Sequence, residues 1–574
     1  MMINPPSSAA FLLLLLTPLA YPGFFPHDVN ILTACAGSLL LSLAIMFEQR
    51  RSIVLPTQLL TVILALFAIQ LWLYGSDHLL SVSTWKLQTT LYASAALLFT
   101  LAISIPASNL KWLLQLYLLA ASLWAVIGLY VWLGGTQGQA LKIGSVTLAL
   151  APAIKLAGPF NQGNIFAGLI GFALIFSHWL AWKERKIYYA IAIAFFTAML
   201  FDTLSRGEWL AYLVTATALF IALRPSRAEA LRCFIIPWLF GISAGLILTH
   251  FSQPSLAGTD GISGLVSSAG ASMEERLTIW ATALSIFLQA PFVGSGWGQY
   301  APQSWLAAPA ASDLMNHLGL SHNLANTYFS AHNLFLHLMA EGGLTMLLPV
   351  LWGIWRLLKT TCRLIRRPHN IRICFALAAT SFIIQSQVNI TFTKPLPLLL
   401  TAFFAGIAMA PALRRNSRRL HATSPILASA AIITAVFILW ATPVVIQWFA
   451  AERALYSFDI NNQESAKKLA NFANTPRTGA IPSIWIAYNV ATTGSHSGLL
   501  QWVIPPLRAA THDLPLVATY QVLFYSLGGT GALQEACRVG RIIEAQHFVN
   551  EKNNQAYQDV CNGKPLEHYH FGMH

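Results

Sequence analysis

The sequence predicts an all-α fold: a polytopic bundle of membrane helices with one long outer loop and a soluble helical tail. Three observations lead there. Of 574 residues, 56% are hydrophobic and only 10% are charged, which is the composition of an integral membrane protein. The apolar residues fall in runs near the ~20 residues that a helix needs to cross a bilayer. The basic residues stand on alternate connectors between those runs and read as topology signals. A net charge of +13 would suggest nucleic acid in a soluble chain. The basic residues form no stripe with interleaved aromatics, so no nucleic-acid partner is expected.

Taken in order, the run at 11–21 follows an uncharged start and reads as a first span rather than a cleaved signal peptide. Runs at 30–47 and 53–74 flank Arg50 and Arg51, and 87–105 and 110–133 lead to a weakly charged outer segment, 134–162. The run 165–182 ends at Lys183-Glu184-Arg185-Lys186. A short outer turn, Ser205-Arg206-Gly207, joins 188–204 to 209–223. Runs at 234–249, 334–358, 374–390, 396–413 and 426–449 complete about thirteen spans, with the N-terminus inside and every basic connector on one face.

This divides the chain into a membrane part, 1–449, interrupted by an outer loop at 251–333, and a soluble tail, 450–574. In the tail, charged residues interleave with apolar ones at helical spacing. An odd number of spans puts the tail outside, beside the loop. Cys35, Cys233, Cys362 and Cys374 lie in or beside spans and read as buried small hydrophobes. Cys537 and Cys561 belong to the tail, where a disulfide between them fits an oxidising outer compartment.

The outer loop concentrates the chemistry. It holds Glu274-Glu275-Arg276, which opens an amphipathic helix, and Pro291-Phe292-Val293-Gly294-Ser295-Gly296, a tight turn expected to expose its backbone. His317, His322, His332 and His337 follow. Arg206 and Arg276 stand beside apolar spans, where an unpaired guanidinium is costly. Two guanidinium forks at one membrane face suit a diphosphate. The alternative is an ion pair of Arg206 with Asp202 or Glu208, and of Arg276 with Glu274 or Glu275. His332 sits where the loop re-enters an apolar run, with Asn333 beside it and Glu341-Gly342-Gly343 about two turns further on. It reads either as a general base or as a satisfied interfacial polar residue, with Glu208 or Glu341 as orienting partner. His332 and His337 are not at the i, i+4 spacing of a helical ligand pair and no H-E-x-x-H occurs, so no metal and no cofactor are expected. Gln162, with Asn161 and Asn164, presents three amides at the start of a span, either to a sugar or phosphate or as an N-cap cluster.

These motifs, in this order, resemble the O-antigen ligase superfamily, which includes O-antigen ligases, O-antigen polymerases and bacterial protein O-oligosaccharyltransferases of the pilin-glycosylating type. The resemblance covers residues 158–343. It implies a metal-independent, inverting glycosyltransferase of the inner membrane, facing the periplasm, with an undecaprenyl-diphosphate-linked oligosaccharide as donor. Carried over, Arg206 and Arg276 bind the diphosphate, His332 activates the acceptor and Gln162 matches an amide of the protein-glycosylating branch. That branch tends to carry Glu-Tyr-Pro-Leu after the next outer turn. This chain has Thr393-Lys394-Pro395-Leu396 instead, so Lys394 becomes a candidate contact to phosphate or to an acidic acceptor. The soluble tail resembles that of the branch whose acceptor is a periplasmic pilin-like protein. A transferase acting on glycolipid is the second reading and a polytopic transporter the third, although the charges gather in the loop rather than within spans.

Overall fold

The computed structural model describes residues 6–440 apart from 21–26, 50–52, 56, 77, 135–140, 144–145, 150–155, 161, 253–260, 321–328, 368, 415–417 and 421–427, and beyond them mainly 517–546 and 551–564. Asn161, His322 and the opening of the tail, 450–503, lie outside the described residues, as does the side chain of Glu274.

Along the chain come α1 (Pro6–Ala20), α2 (His27–Glu48), α3 (Thr57–Gly75), α4 (Val82–Ala102), α5 (Leu110–Trp132), α6 (Gly163–Glu184), α7 (Ile187–Asp202) and α8 (Arg206–Leu223). A short α9 (Arg227–Ala230) runs through a π turn into α10 (Ile236–Ser252). The outer loop folds into α11 (Gly261–Gln289) and α12 (Tyr300–His317), followed by α13 (Leu334–Ile365), α14 (Arg372–Gln385), α15 (Pro395–Leu413) and α16 (Ala428–Trp440). The tail contributes α17 (Val517–Gly529), α18 (Leu533–Ala545) and α19 (Glu551–Cys561). Two small antiparallel pairs accompany the helices: β1 (Ile53–Leu55) with β4 (Arg418–Leu420), and β2 (Leu141–Ile143) with β3 (Val146–Ala149).

The all-α membrane bundle is what the sequence predicted, with differences of detail. Among the described residues, 7 helices are long and apolar enough to cross a membrane, against about thirteen expected; α1, α3, α7, α14 and α16 are apolar but shorter. Ile53 was expected to open a span and lies in β1 instead. Leu55 precedes a proline, which pushes it toward extended backbone. The run expected to 390 stops being helical at Gln385, and beyond it the carbonyls of Ser386 and Gln387 accept from Leu334 N–H and Asn333 Nδ2 instead of continuing a helix. The loop helix begins at Gly261, ahead of Glu274. Cys35, Cys233 and Cys374 are buried as expected, but Cys362 is exposed on α13.

The core is built around α6. Its residues from Ile165 to Ala181 are buried on all sides, the mark of a helix enclosed by others rather than facing lipid. It packs against α5, α7, α8 and α14. A polar knot ties it to its neighbours: His178 Nδ1 lies 2.7 Å from the Cys233 carbonyl, and its Nε2 lies 2.6 Å from the Tyr212 hydroxyl. Trp238 Nε1 donates to that hydroxyl at 2.5 Å. The hydroxyl therefore gives its proton to Nε2 while Nδ1–H donates to the carbonyl, which fixes the tautomer and joins α6, α8 and the π-turn helix.

The connectors sort to two ends. At one end Lys111 pairs with Glu184 at 2.5 Å and Arg185 with Glu229 at 2.8 Å. There Arg414 donates to the Ile103 carbonyl at 2.6 and 2.9 Å, and Arg372 to those of Ile105 and Ile407. At the other end lie the starts of α6, α8, α13 and α15 and the described part of the outer loop. Helix α11 packs on α12 and α13. The tail joins this end, since Tyr520 of α17 stacks on Trp305 of α12 with ring centroids 4.6 Å apart and planes 9° apart.

Replacing Tyr212 by Phe leaves His178 Nε2 and Trp238 Nε1–H without their shared partner. The expected cost is about 1–3 kcal/mol per buried orphaned group, read as a lower midpoint of thermal unfolding in detergent. An unchanged midpoint would mean that the bundle does not depend on the knot.

Candidate active site

The site is assembled by two stitched regions. In the first, α13 breaks two turns after its start. Gly343 has φ +58° and ψ −160° inside the helix, a backbone that favours glycine. The freed groups are met by the turn 291–296. Ser295 and Gly296 N–H donate to the carbonyls of Ala340 and Glu341 at 3.0 and 2.9 Å, while Leu344 and Thr345 N–H donate to those of Pro291 and Phe292 at 2.9 and 3.0 Å. Gly294, with φ +69°, lies so close that a Cβ there would strike the Glu341–Gly342 backbone, and one at Gly343 would strike Phe292. The turn therefore does not expose its backbone as expected. It spends the N–H groups of Ser295 and Gly296 on α13, and that of Gly294 on the Ala290 carbonyl.

Glu341 is buried in this joint. Its Oε1 accepts from the Tyr300 N–H at the start of α12 at 3.0 Å, and Oε2 lies 3.4 Å from His337 Nε2. A carboxylate at a helix N-terminus is favoured by the backbone dipoles. His337 itself is buried between the rings of Tyr300 and Phe392, at 5.2 and 5.0 Å.

The second region is the corner after α14, Gln385 to Lys394. Asn333 caps α13: its Oδ1 accepts from Phe335 and Leu336 N–H at 3.0 and 3.1 Å, and its Nδ2 donates to the Gln387 carbonyl at 3.1 Å. Leu334 N–H donates to the Ser386 carbonyl at 2.8 Å. Gln385 Nε2 donates to the Asn164 carbonyl at 2.8 Å. Gly207, next to Arg206, packs so tightly on Val388 and Asn389 that a Cβ would collide with them. One polar corner thus fixes the starts of α6, α8 and α13. Sequence reasoning missed it, although a polar run closing an apolar span, Gln385-Ser386-Gln387, was a visible signal.

Two non-glycine residues at this end adopt left-handed backbone, Leu204 with φ +54° and His332 with φ +49°. The others with positive φ, Arg185 and Arg224, terminate helices at the opposite end. Such strain costs on the order of 1–3 kcal/mol each and concentrates at functional sites. Here it directs the segments that carry Arg206 and the imidazole.

His332 is half-buried, with Arg276 from α11 and Lys394 from the corner close enough to act on its charge. Burial first, then Arg276 and then Lys394, hold its pKa down to about 4. Burial likewise lowers Lys394 to about 8. The imidazole is thus neutral at pH 7 and surrounded by cations, an arrangement that receives both a proton and an anionic ligand. Arg276 makes no ion pair among the described residues, whereas Arg206 starts α8 with its side chain exposed. Gln162 stands at the N-cap position of α6 without capping it, and among the described residues its buried Oε1 has no hydrogen-bond partner. Neither expected carboxylate orients the His332 ring. Glu208 lies inside the bundle against Gly171, accepting from Ser381 at 3.3 Å, and Glu341 is committed to Tyr300 and His337. His317 ends α12, its Nδ1 2.8 Å from the Asp313 carbonyl. Cys537 and Cys561 are bonded as a disulfide between α18 and α19.

A base whose folded pKa lies below its unfolded value of about 6.5 binds fewer protons when folded. His332 therefore weakens the fold as pH drops from 6.5 toward 4, and its contribution is neutral above that window. In ¹³C-histidine spectra of the free protein, His332 should titrate near pH 4, and Arg276→Gln should move that midpoint upward by removing a neighbouring charge. A midpoint near 6.5 in the unsubstituted protein would contradict this electrostatic picture.

Residues 191–351 match the family model described as O-Antigen ligase (Wzy_C). No curated protein matches the chain. The matched segment runs from α7 into α13 and contains Arg206, Arg276, His332 and Glu341, while Gln162, Lys394 and the tail lie outside it. Over that segment the chain is similar to the O-antigen ligase family, and its apolar helices fit a multi-pass membrane protein.

Proposed function

We propose that this protein is a protein O-oligosaccharyltransferase of the inner membrane, moving a glycan en bloc from undecaprenyl diphosphate to a Ser or Thr hydroxyl of a periplasmic pilin-like protein. The observation that carries the reading is the convergence on one polar corner of a neutral imidazole, His332, with the cations Arg276 and Lys394 and the start of the helix bearing Arg206. In this reading the basic connectors lie in the cytoplasm, and the outer loop and the tail face the periplasm.

The donor diphosphate is bound by Arg206 and Arg276, whose planar forks match phosphate oxygens, with Lys394 as a third cation. Held by these charges, the lipid diphosphate leaves the anomeric carbon without protonation by a protein acid. The acceptor hydroxyl attacks from the opposite face, and His332 takes its proton as the new C–O bond forms and the old one breaks. The product has inverted configuration, and no glycosyl-enzyme forms. General-base assistance of this kind contributes about 10²- to 10⁴-fold. The unspent amide oxygen of Gln162 is suited to a sugar hydroxyl.

A protein acceptor is favoured by the tail, whose disulfide-bonded helices join the bundle at the site end through α12. A glycolipid acceptor remains the second reading, since the family description itself names the O-antigen ligase.

With purified protein, lipid-linked donor and an acceptor pilin, His332→Ala should abolish transfer while donor binding persists. Arg206→Lys and Arg276→Lys should each weaken donor binding and transfer at normal expression. Near-normal transfer by His332→Ala would remove the base assignment. In cells lacking the gene, a loss of mass from intact surface pilin supports the protein acceptor, and a lost lipopolysaccharide band supports the glycolipid.

A further inference from the structure

The tail carries a second candidate binding feature, away from the diphosphate-binding residues. Helices α18 and α19, clamped by the Cys537–Cys561 disulfide, enclose a groove of about 530 Å³. It is lined by the disulfide with Leu533, Ile542 and Val560, and by the exposed Arg538 and Arg541. The two arginines stand three apart on α18, so they share one helical face. Both are exposed, and among the described residues neither makes an ion pair.

Among the described residues no carboxylate, Glu544 on the same helix included, forms an ion pair with either arginine. Glu535 is gripped by Arg508 through both oxygens, with Nε to Oε1 at 2.7 Å and Nη2 to Oε2 at 2.5 Å, and Asp559 by Lys564 at 3.1 Å. The groove therefore offers an apolar lining with two unspent guanidinium forks. That combination fits a chain segment with carboxylates and apolar side chains in close succession. A flat membrane surface would meet the arginines but not the apolar lining of the groove.

The groove also belongs to a unit attached at the site. Helix α17, which packs on α18, stacks Tyr520 on Trp305 of α12, and the start of α12 is held by Glu341 in the joint that builds the active site. A segment seated in the groove is thereby tethered to the transferase, which raises the local concentration of a hydroxyl carried on the same chain.

We infer that the α18–α19 groove is a docking site for an acidic, apolar-anchored linear segment of the acceptor protein. The inference rests on the reading that the acceptor is a protein, and it is tested without any transfer step. The probe is a short fluorescein-labelled peptide alternating Asp with Leu and Ala, titrated with full-length protein in detergent and followed by polarisation. Arg538→Glu with Arg541→Glu should weaken binding by about tenfold or more, and Arg538→Lys with Arg541→Lys should retain most of it. An Asp→Lys version of the peptide should not bind. Disulfide content by intact mass and an unchanged thermal midpoint show that the variants are folded.

Equal binding by the double Glu variant, or none by the unsubstituted protein, overturns the inference. So does capture of phosphatidylglycerol vesicles that depends on the same arginines while the peptide does not bind, because the face would then belong to the membrane surface. Since the assay contains no donor, its failure leaves the transferase reading intact. Conversely, a His332→Ala protein that still transfers glycan would sink the mechanism without touching peptide binding.

Discussion

The architecture of the site depends on one backbone joint, the exchange of four hydrogen bonds between the turn 291–296 and α13 on either side of Gly343. A helix interrupted within a membrane protein must have its freed N–H and C=O groups met by other protein groups, since lipid offers none. The turn meets them, and in doing so it fixes the loop helices relative to α13. Because the contact is backbone to backbone, there is no room for a Cβ at Gly294 or Gly343. Glu341 adds a charged bond from the same joint to the start of α12. Helix α11, and with it Arg276, is positioned through its packing on α12 and α13.

The corner 385–394 plays the complementary part on the bundle side. Its carbonyls and amides join the starts of α6, α8 and α13, so that candidate residues far apart in sequence share one support. Asn333 illustrates how a candidate ligand residue becomes a scaffold residue. Both ends of its amide are occupied, one by the helix cap and one by Gln387. The left-handed backbone at His332 and Leu204 is maintained by these neighbours.

Electrostatics then divide the molecule. At one end Arg185 is compensated by Glu229, and Arg372 and Arg414 by carbonyls. At the other, Arg276 and Lys394 surround a half-buried imidazole with no carboxylate partner among the described residues. Uncompensated positive charge in a partly desolvated place is expensive without an anion, so this place favours an anionic ligand.

The sequence by itself determined the membrane bundle, the alternation of basic and non-basic connectors, the family resemblance and the candidates Arg206, Arg276 and His332. Apolar run length, charge placement and motif order are local properties, and they survive in a linear string. Four features needed the tertiary structure: the end of α14 at Gln385, the polar corner beyond it, the bonding of the Ser295 and Gly296 N–H groups to α13, and the stacking of Tyr520 on Trp305. Each is a pairing between segments tens to hundreds of residues apart, and no local periodicity encodes which buried donor meets which acceptor. The same reason explains Glu208 and Glu341. Their positions near the candidate residues in sequence suggested orienting roles, yet helix rotation turned one toward Gly171 and Ser381 and the other toward Tyr300 and His337.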